Sequence, residues 1–451
     1  MTKKVYTPNI NKNPGNRRLF YFAAICAFAL VLRLAAFFAI QAKYSWQVTE
    51  KSLMGDAMSY HTIALTAVKD PAKIPEGLPV KRAKDYPAYV KEQLTKRTPG
   101  YPFFVSLFYN TFGVRVWPVF LAQALIDAGT LALIYVIGCL VFGRGPAPLI
   151  AALLYAVNFD SIASCNELLT EIPFTFMLAL AVLFFVRWLR GKRPALLAAA
   201  GAALGISALI RPIAVYAPLI FIPFVFVPAG MTPMRSRAAQ AGLFVLGFFL
   251  VTAPWQFRNL DLYGSYAICD QQGTNMFLWN AAYLRVYLEN GPHPRTENHP
   301  RFKASAAFIR ETPARSANPY KKARAYQKAA IRYILRHPWA YLYYHIRGMA
   351  KMFIEPGIIM FKNRTPPAYQ SPIPGGRRTL GALYHAMAVY IPAGYVFFAA
   401  GMFLMFKTPG ERLYAAFLTL VILYFSNMTG IIGQHISGTR GIFRFRVPMD
   451  P

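Results

Sequence analysis

The sequence predicts an all-α polytopic membrane protein, a helical bundle whose large loops carry short amphipathic helices and gather at one face. Three observations carry this expectation. Of 451 residues, 56% are hydrophobic, the mean hydropathy is +0.33, and the apolar residues fall in runs long enough to cross about 30 Å of hydrocarbon. Lys and Arg number 49 against 18 Asp and Glu, a formal net charge of +31, and many of these cations sit in the short breaks between apolar runs. Finally, neither a fixed short repeat nor paired interrupted helices in two halves is evident, which argues against a solenoid or an inverted-repeat transporter.

The elements follow in order. MTKKVYTPNINKNPGNRR is a long basic lead and Leu19 to Ile40 exceeds a signal-peptide core, so the segment reads as a retained first helix with its N-terminus in the cytoplasm. Residues 41–115 form an outside loop. Then 116–142 spans inward, 146–160 returns, 168–188 ends inside at RWLRGKR, 195–210 emerges at Arg211, 212–229 reaches the inside loop TPMRSR, and 239–256 emerges before Arg258. A second outside region covers 259–338. The stretch 340–360 carries His345, Arg347, Lys351 and Glu355, and treating it as interfacial or re-entrant puts Lys407 and Arg412 inside and the Arg-rich tail outside. About nine spans result, in one membrane-embedded domain over 1–451 with no separate soluble C-terminal domain.

The charge excess narrows the function classes. Nucleic acid would suit +31, but a soluble basic domain with aromatic stacking platforms is missing. Positive-inside loops, anionic lipid or a phosphate-bearing substrate fit better. Cys26, Cys139, Cys165 and Cys269 are too dispersed to indicate a zinc knuckle or a disulfide framework.

The polar residues at the ends of the apolar runs converge on the outer face of this scheme. Asp56, Glu167 and Glu171 are the candidate catalytic carboxylates; Arg97, Arg211, Arg258, Arg440 and Arg444, with Arg446 beside them, are the candidate phosphate ligands. Tyr60, His61, Tyr101, Trp255 and Asn259 are the candidate substrate-lining residues. A sugar linked through phosphate to a polyprenyl lipid would need this combination: an apolar groove for the chain, cations at the phosphate and a carboxylate near the anomeric carbon. Phosphate leaves well once neutralised, and the forked, permanently charged guanidinium suits that task. The acceptor hydroxyl needs a base within about 3 Å, and a single base suffices if the transfer inverts the anomeric centre. Glu167 or Glu171 could instead orient the acceptor. A divalent ion would neutralise phosphate as well as several arginines do, and these residues do not choose between the two.

Each assignment has a structural alternative. Asp56 suits a helix N-cap and Glu171 a helix start. On a helix, Tyr60 is a better same-face partner of Asp56 than His61, and Asp56 with one His completes no metal site, His435 being distant in sequence. Arg97, Arg211 and the tail arginines could snorkel to headgroups, and Trp255 could belong to an interfacial aromatic belt. A transporter or flippase of a lipid-linked anion would use many of the same arginines, but would need polar groups across the whole membrane rather than at one face.

The ordered set GDAMSYHTIAL, KRTPGYPFFVSLFY, NELLTEIPFTF, GISALIRPIAV, PWQFRNLDLYG and RFRVPMDP resembles the bacterial branch of the protein O-mannosyltransferase-like superfamily. These are type C membrane glycosyltransferases whose relatives include the lipid A aminoarabinose transferase. The resemblance runs over nearly the whole chain. It implies an enzyme of the bacterial inner membrane that transfers a sugar from a polyprenyl-phosphate donor to an envelope lipid, glycan or protein at the periplasmic or exterior side, usually with inversion and without nucleic acid as a partner. It places the catalytic carboxylate on Asp56, the second acidic position on Glu167 or Glu171, and the arginine of the Arg-Pro element on Arg211. Relatives often continue beyond the arginine-rich motif, so in a chain ending at Pro451 the loops would hold the acceptor.

Overall fold

The computed structural model describes residues 14–44, 53, 55–70, 86–227, 233–290, 310–312, 316–354, 376–408 and 410–429. The tail arginines Arg440, Arg444 and Arg446, together with His435, lie outside the described residues. Among those described, the regular structure is helical throughout. The longer elements are α1 (Pro14–Tyr44), α2 (Asp56–Thr66), α3 (Tyr86–Lys96), α4 (Gly100–Phe112), α5 (Trp117–Phe142), α6 (Ala147–Ala156), α7 (Phe159–Ser164), α8 (Glu171–Gly191), α9 (Ala195–Ile210) and α10 (Met234–Tyr263). After them come α11 (Gln271–Asn275), a π turn at Met276–Ala281, α12 (Ala282–Asn290), α13 (Pro319–Arg336), α14 (Pro338–Ile354), α15 (Gly376–Lys407) and α16 (Arg412–Thr429). Among the described residues, four helices are long and apolar enough to cross a membrane, over residues 17–42, 117–142, 171–191 and 234–263, and shorter apolar helices accompany them.

The core forms around α8, two-thirds of whose apolar span is buried. Phe185 at its centre is fully buried and meets Trp188, Phe221, Phe244 and Phe417 with ring centroids 4.7 to 6.3 Å apart. Offset and edge-on packing of this kind adds to the gain from burial. Beside it, α9 and α10 touch backbone to backbone. A Cβ on Gly201 would stand 2.0 Å from the Phe244 carbonyl oxygen, and one on Gly247 would stand 2.1 Å from that of Ala198. Small residues let two apolar helices approach this closely where lipid offers no hydrophobic drive to associate.

Two expected spans are interrupted. The run 146–160 divides into α6 and α7 because Asn158 leaves the helix and its side chain accepts from the Ser161 N–H, starting a new helix. At the break the carbonyls of Tyr155 and Ala156 accept from the Arg33 guanidinium of α1 at 3.3 and 3.0 Å, that of Tyr155 accepting from the Asn158 N–H as well. Of the run 212–229, the described residues 212–227 form a 3₁₀ turn at Pro212–Tyr216 followed by single helical turns at Pro218–Phe221 and Pro223–Phe226. Each piece begins at a proline, which lacks the N–H that would continue the helix before it. Within the expected outside loop 41–115, the structure places α2, α3 and α4.

Candidate active site

The site is built where α2, the turn between α3 and α4, and the ends of α8, α9 and α10 meet. Gly55, with φ +60°, starts α2 in a conformation that favours glycine, and Asp56 is the first helical residue. A carboxylate in the first turn complements the helix dipole. One turn later Tyr60 shares its face, and Arg97 engages both. The guanidinium Nη2 donates to Asp56 Oδ1 at 2.5 Å and lies over the Tyr60 ring at 5.4 Å. Asp56 keeps 27% of its side chain exposed and Arg97 keeps 13%, so the pair borders open space.

The turn carrying Arg97 is held against α9. Thr98 Oγ1 donates to the Ile210 carbonyl at 2.8 Å, and only a glycine fits at position 100, where a Cβ would be 2.7 Å from the Leu209 oxygen. Directly after that contact α9 ends. Pro212 disfavours a helical residue before it, and Arg211 is extended with φ −138° and ψ 124°. Its side chain leaves the helix to reach Glu171 Oε1 at 3.2 Å and to lie over Phe174 at 5.5 Å. Glu171 opens α8 and is 1% exposed, so it is held almost entirely within protein.

Other candidate residues form the walls. Tyr101 is fully buried; it meets Tyr60 edge to face at 5.1 Å and donates to Gln123 Oε1 at 2.8 Å. The Gln123 amide in turn donates to the carbonyls of Cys165 and Glu167 at 3.0 and 2.9 Å, tying the half-buried Glu167 segment to the same end of the bundle. Burial raises the Tyr101 phenol well above its ordinary range, and the negative charges of Glu171 and Glu167 add to this, so it serves as a neutral donor. His61 points the other way, into the α2–α4 contact, where Nδ1 and the Tyr109 hydroxyl are 2.8 Å apart.

Trp255, Arg258 and Asn259 stand at the end of α10. Arg258 lies over Trp255 at 4.3 Å and donates to Asn259 Oδ1, while Asn259 Nδ2 and Trp255 Nε1 donate to the carbonyls of the 267–268 turn. That turn delivers Asp270 to the Arg97 loop. Its N–H donates to the Thr95 carbonyl at 2.9 Å, and Thr95 Oγ1 donates to Asp270 Oδ2 at 3.4 Å. Burial raises the Asp270 carboxyl above its ordinary value, against the opposing charge of Lys96 and the Thr95 hydrogen bond. Burial also pushes the neighbouring Cys269 thiol up to about 12, leaving it neutral and a poor nucleophile.

Sequence reasoning passed over Thr95, Gln123 and Asp270. Gln123 had a signal, a polar amide inside an apolar run. Thr95, near the end of α3, and Asp270, in the loop after α10, carry no such signal until folding joins them. Among the described residues no cluster of three or more His, Cys, Asp or Glu could hold a metal ion. The arrangement offers two carboxylate–arginine pairs at one end of the bundle, one partly open and one closed.

Comparison with known proteins bears on this arrangement. Residues 96–256 match the model of the dolichyl-phosphate-mannose-protein mannosyltransferase family. The match spans Arg97, Tyr101, Glu167, Glu171, Arg211 and Trp255, and so includes most of the site described above. Over these residues the chain is similar to that family. The matched part is a little over a third of the 451 residues, and a search among curated proteins finds no match. Among solved structures, the chain is similar to the archaeal oligosaccharyltransferase AglB from Archaeoglobus fulgidus, determined in complex with an inhibitory peptide and a dolichol-phosphate. The TM-score is 0.49 at 14% identity, covering 96% of this chain and 50% of that one. The chain thus spans half the length of AglB, and the likeness in shape is loose. The functional reading rests instead on the family match and the geometry of the site.

Proposed function

We propose that this protein transfers a sugar from a polyprenyl-phosphate donor to an extracytoplasmic lipid, glycan or protein of a bacterial envelope, with inversion at the anomeric carbon. The observation that carries the reading is the Asp56–Arg97 pair, partly open to solvent, on a turn fastened beside Arg211. A donor phosphate arriving at Arg97 would compete with Asp56 for the guanidinium. The exchange neutralises the leaving group and releases the carboxylate at the same moment. Asp56 then accepts the proton of the acceptor hydroxyl as its oxygen bonds to the anomeric carbon and the carbon–oxygen bond to phosphate breaks, so that polyprenyl phosphate leaves. One displacement inverts the centre.

Arg211 would add charge at the same phosphate, with Glu171 holding it in place until the donor binds. Arg258, Trp255 and Asn259 position the 265–270 turn that closes the site from the α10 side. The described charges deep within the spans, Arg33 and Asp127, are bonded to each other and to neighbouring groups. They do not line an open path, as a flippase would need.

The test is mass spectrometry of the reconstituted protein with a panel of polyprenyl-phosphate sugars and an envelope extract, comparing wild type with Asp56→Asn. The expected result is a product heavier by one sugar with wild type only, while the variant stays folded and still binds donor. Turnover by Asp56→Asn near the wild-type rate would remove Asp56 as the base. Donor movement across the bilayer without product would favour a flippase.

A further inference from the structure

We propose that α13 and α14 form a binding surface for anionic phospholipid, anchoring the region beside the site to the bilayer that the chain spans. Along α13, Lys321, Arg324, Lys328 and Arg332 are exposed and recur at helical spacing on one face, whereas Tyr320, Ala323, Tyr326 and Ala330 are buried on the other. Neither α13 nor α14 contains an acidic residue. A merely solvated helix face mixes both signs, and among the described residues no carboxylate pairs with these four cations.

The cationic stripe runs into an apolar one. Leu335 ends the exposed face of α13 at 70% exposure. On α14, Trp339, Leu342, Tyr343 and Ile346 then follow at i, i+3, i+4 and i+7, all exposed, with Trp339 at 80%. The reverse side of α14 buries Tyr344 and His345. This apolar stripe faces out of the protein by construction. Basic residues beside exposed Trp, Tyr and Leu are the pattern of a helix lying in the headgroup region.

The fold places the pair at the right level. Asn318, which caps α13, donates to the carbonyl of Tyr263 at 2.8 Å, and Tyr263 is the last residue of the candidate span α10. The amphipathic helix therefore begins where a membrane-crossing helix ends. Its inner face is fastened to the segment after Asp270: Phe277 stacks on Tyr326 at 4.6 Å, and Gly273 abuts the Ala323 carbonyl. An anionic lipid surface is the occupant whose charge and apolar depth both match, because headgroup phosphates meet the cations while Trp339 and Ile346 enter the acyl boundary. The inference is independent of the transfer reaction.

The full chain is placed in nanodiscs of phosphatidylcholine, with or without about a third phosphatidylglycerol, and amide hydrogen exchange is followed over 319–346. Phosphatidylglycerol should slow exchange in the wild type roughly tenfold or more, and high salt should reverse the effect. The variant Lys321→Gln/Arg324→Gln/Lys328→Gln/Arg332→Gln should lose it, while α9 exchanges as in wild type and so reports intact folding. Equal exchange in both bilayers would overturn the proposal, as would protection that survives in the quadruple variant. Protection produced in neutral discs by soluble glycerol phosphate would also overturn it, pointing to a phosphate pocket rather than a lipid surface.

Discussion

At the residue scale, the chemistry turns on how few side chains hold each charge in place. Arg97 serves Asp56, the Tyr60 ring and, in the proposed reaction, phosphate; a lysine could supply charge but not the fork or the flat face. Arg97→Lys is therefore expected to lower turnover by at least about tenfold, a loss of order 1.4 kcal/mol in the barrier, while Arg97→Ala loses more; steady-state kinetics in proteoliposomes reads both. His61 is a different case. It was legible as a polar residue near Asp56, but periodicity could not say that it turns toward Tyr109. Burial lowers its pKa from 6.5 to about 4, so the fold favours the neutral ring. A depressed value means its stability contribution is complete above about pH 6.5 and is lost as pH falls through about 4. The amount is on the order of 2–4 kcal/mol. Thermal melts of wild type should drop across that window, and His61→Gln should flatten the drop; parallel curves would remove His61 as the cause.

At the element scale, helix existence was written plainly in hydrophobicity and helix contact was not. The expected spans 116–142, 168–188 and 195–210 correspond closely to α5, α8 and α9, because a long apolar run has few alternatives to helix in a membrane. The break at Asn158 needed Arg33 to accept responsibility for two carbonyls from a helix more than a hundred residues away in sequence. Close packing of α9 on α10 is likewise a pairwise property. Gly242 and Gly247 both lie inside α10, yet a Cβ at Gly242 meets open space while one at Gly247 meets the Ala198 carbonyl. Gly242→Ala should be neutral or stabilise by up to about 1 kcal/mol through helix propensity. Gly247→Ala should instead destabilise by about 1–3 kcal/mol. Thermal unfolding in detergent compares them directly, and equal melting points would mean that the two helices do not touch there.

At the scale of the whole molecule, a buried polar knot joins α1, α5, α6 and α7. Arg33 Nε donates to Asp127 Oδ2 at 2.5 Å with both side chains fully buried, and the hydroxyls of Tyr155 and Ser161 donate to Asp127 Oδ1 at 2.5 and 2.6 Å. Removing one partner strands a charge in a low-dielectric interior, at a cost of about 3–5 kcal/mol. Arg33→Met should lower the melting temperature more than Arg33→Met/Asp127→Leu does, since the second change removes the stranded carboxylate. A double variant less stable than the single would assign the loss to the carbonyls and hydroxyls instead.

Composition and periodicity by themselves determined that this is a helical membrane protein, roughly where its long helices run, and which charged residues stand at their ends. Those properties follow from local rules: hydrocarbon thickness, backbone satisfaction and the cost of burying charge each act on consecutive residues. Only the tertiary structure decided that Arg97 belongs to Asp56 and Arg211 to Glu171, that Asp270 reaches Thr95, and that His61 faces inward. Partner choice depends on distances between segments far apart in the chain, and packing against neighbouring helices sets those distances. No spacing within a single run encodes them.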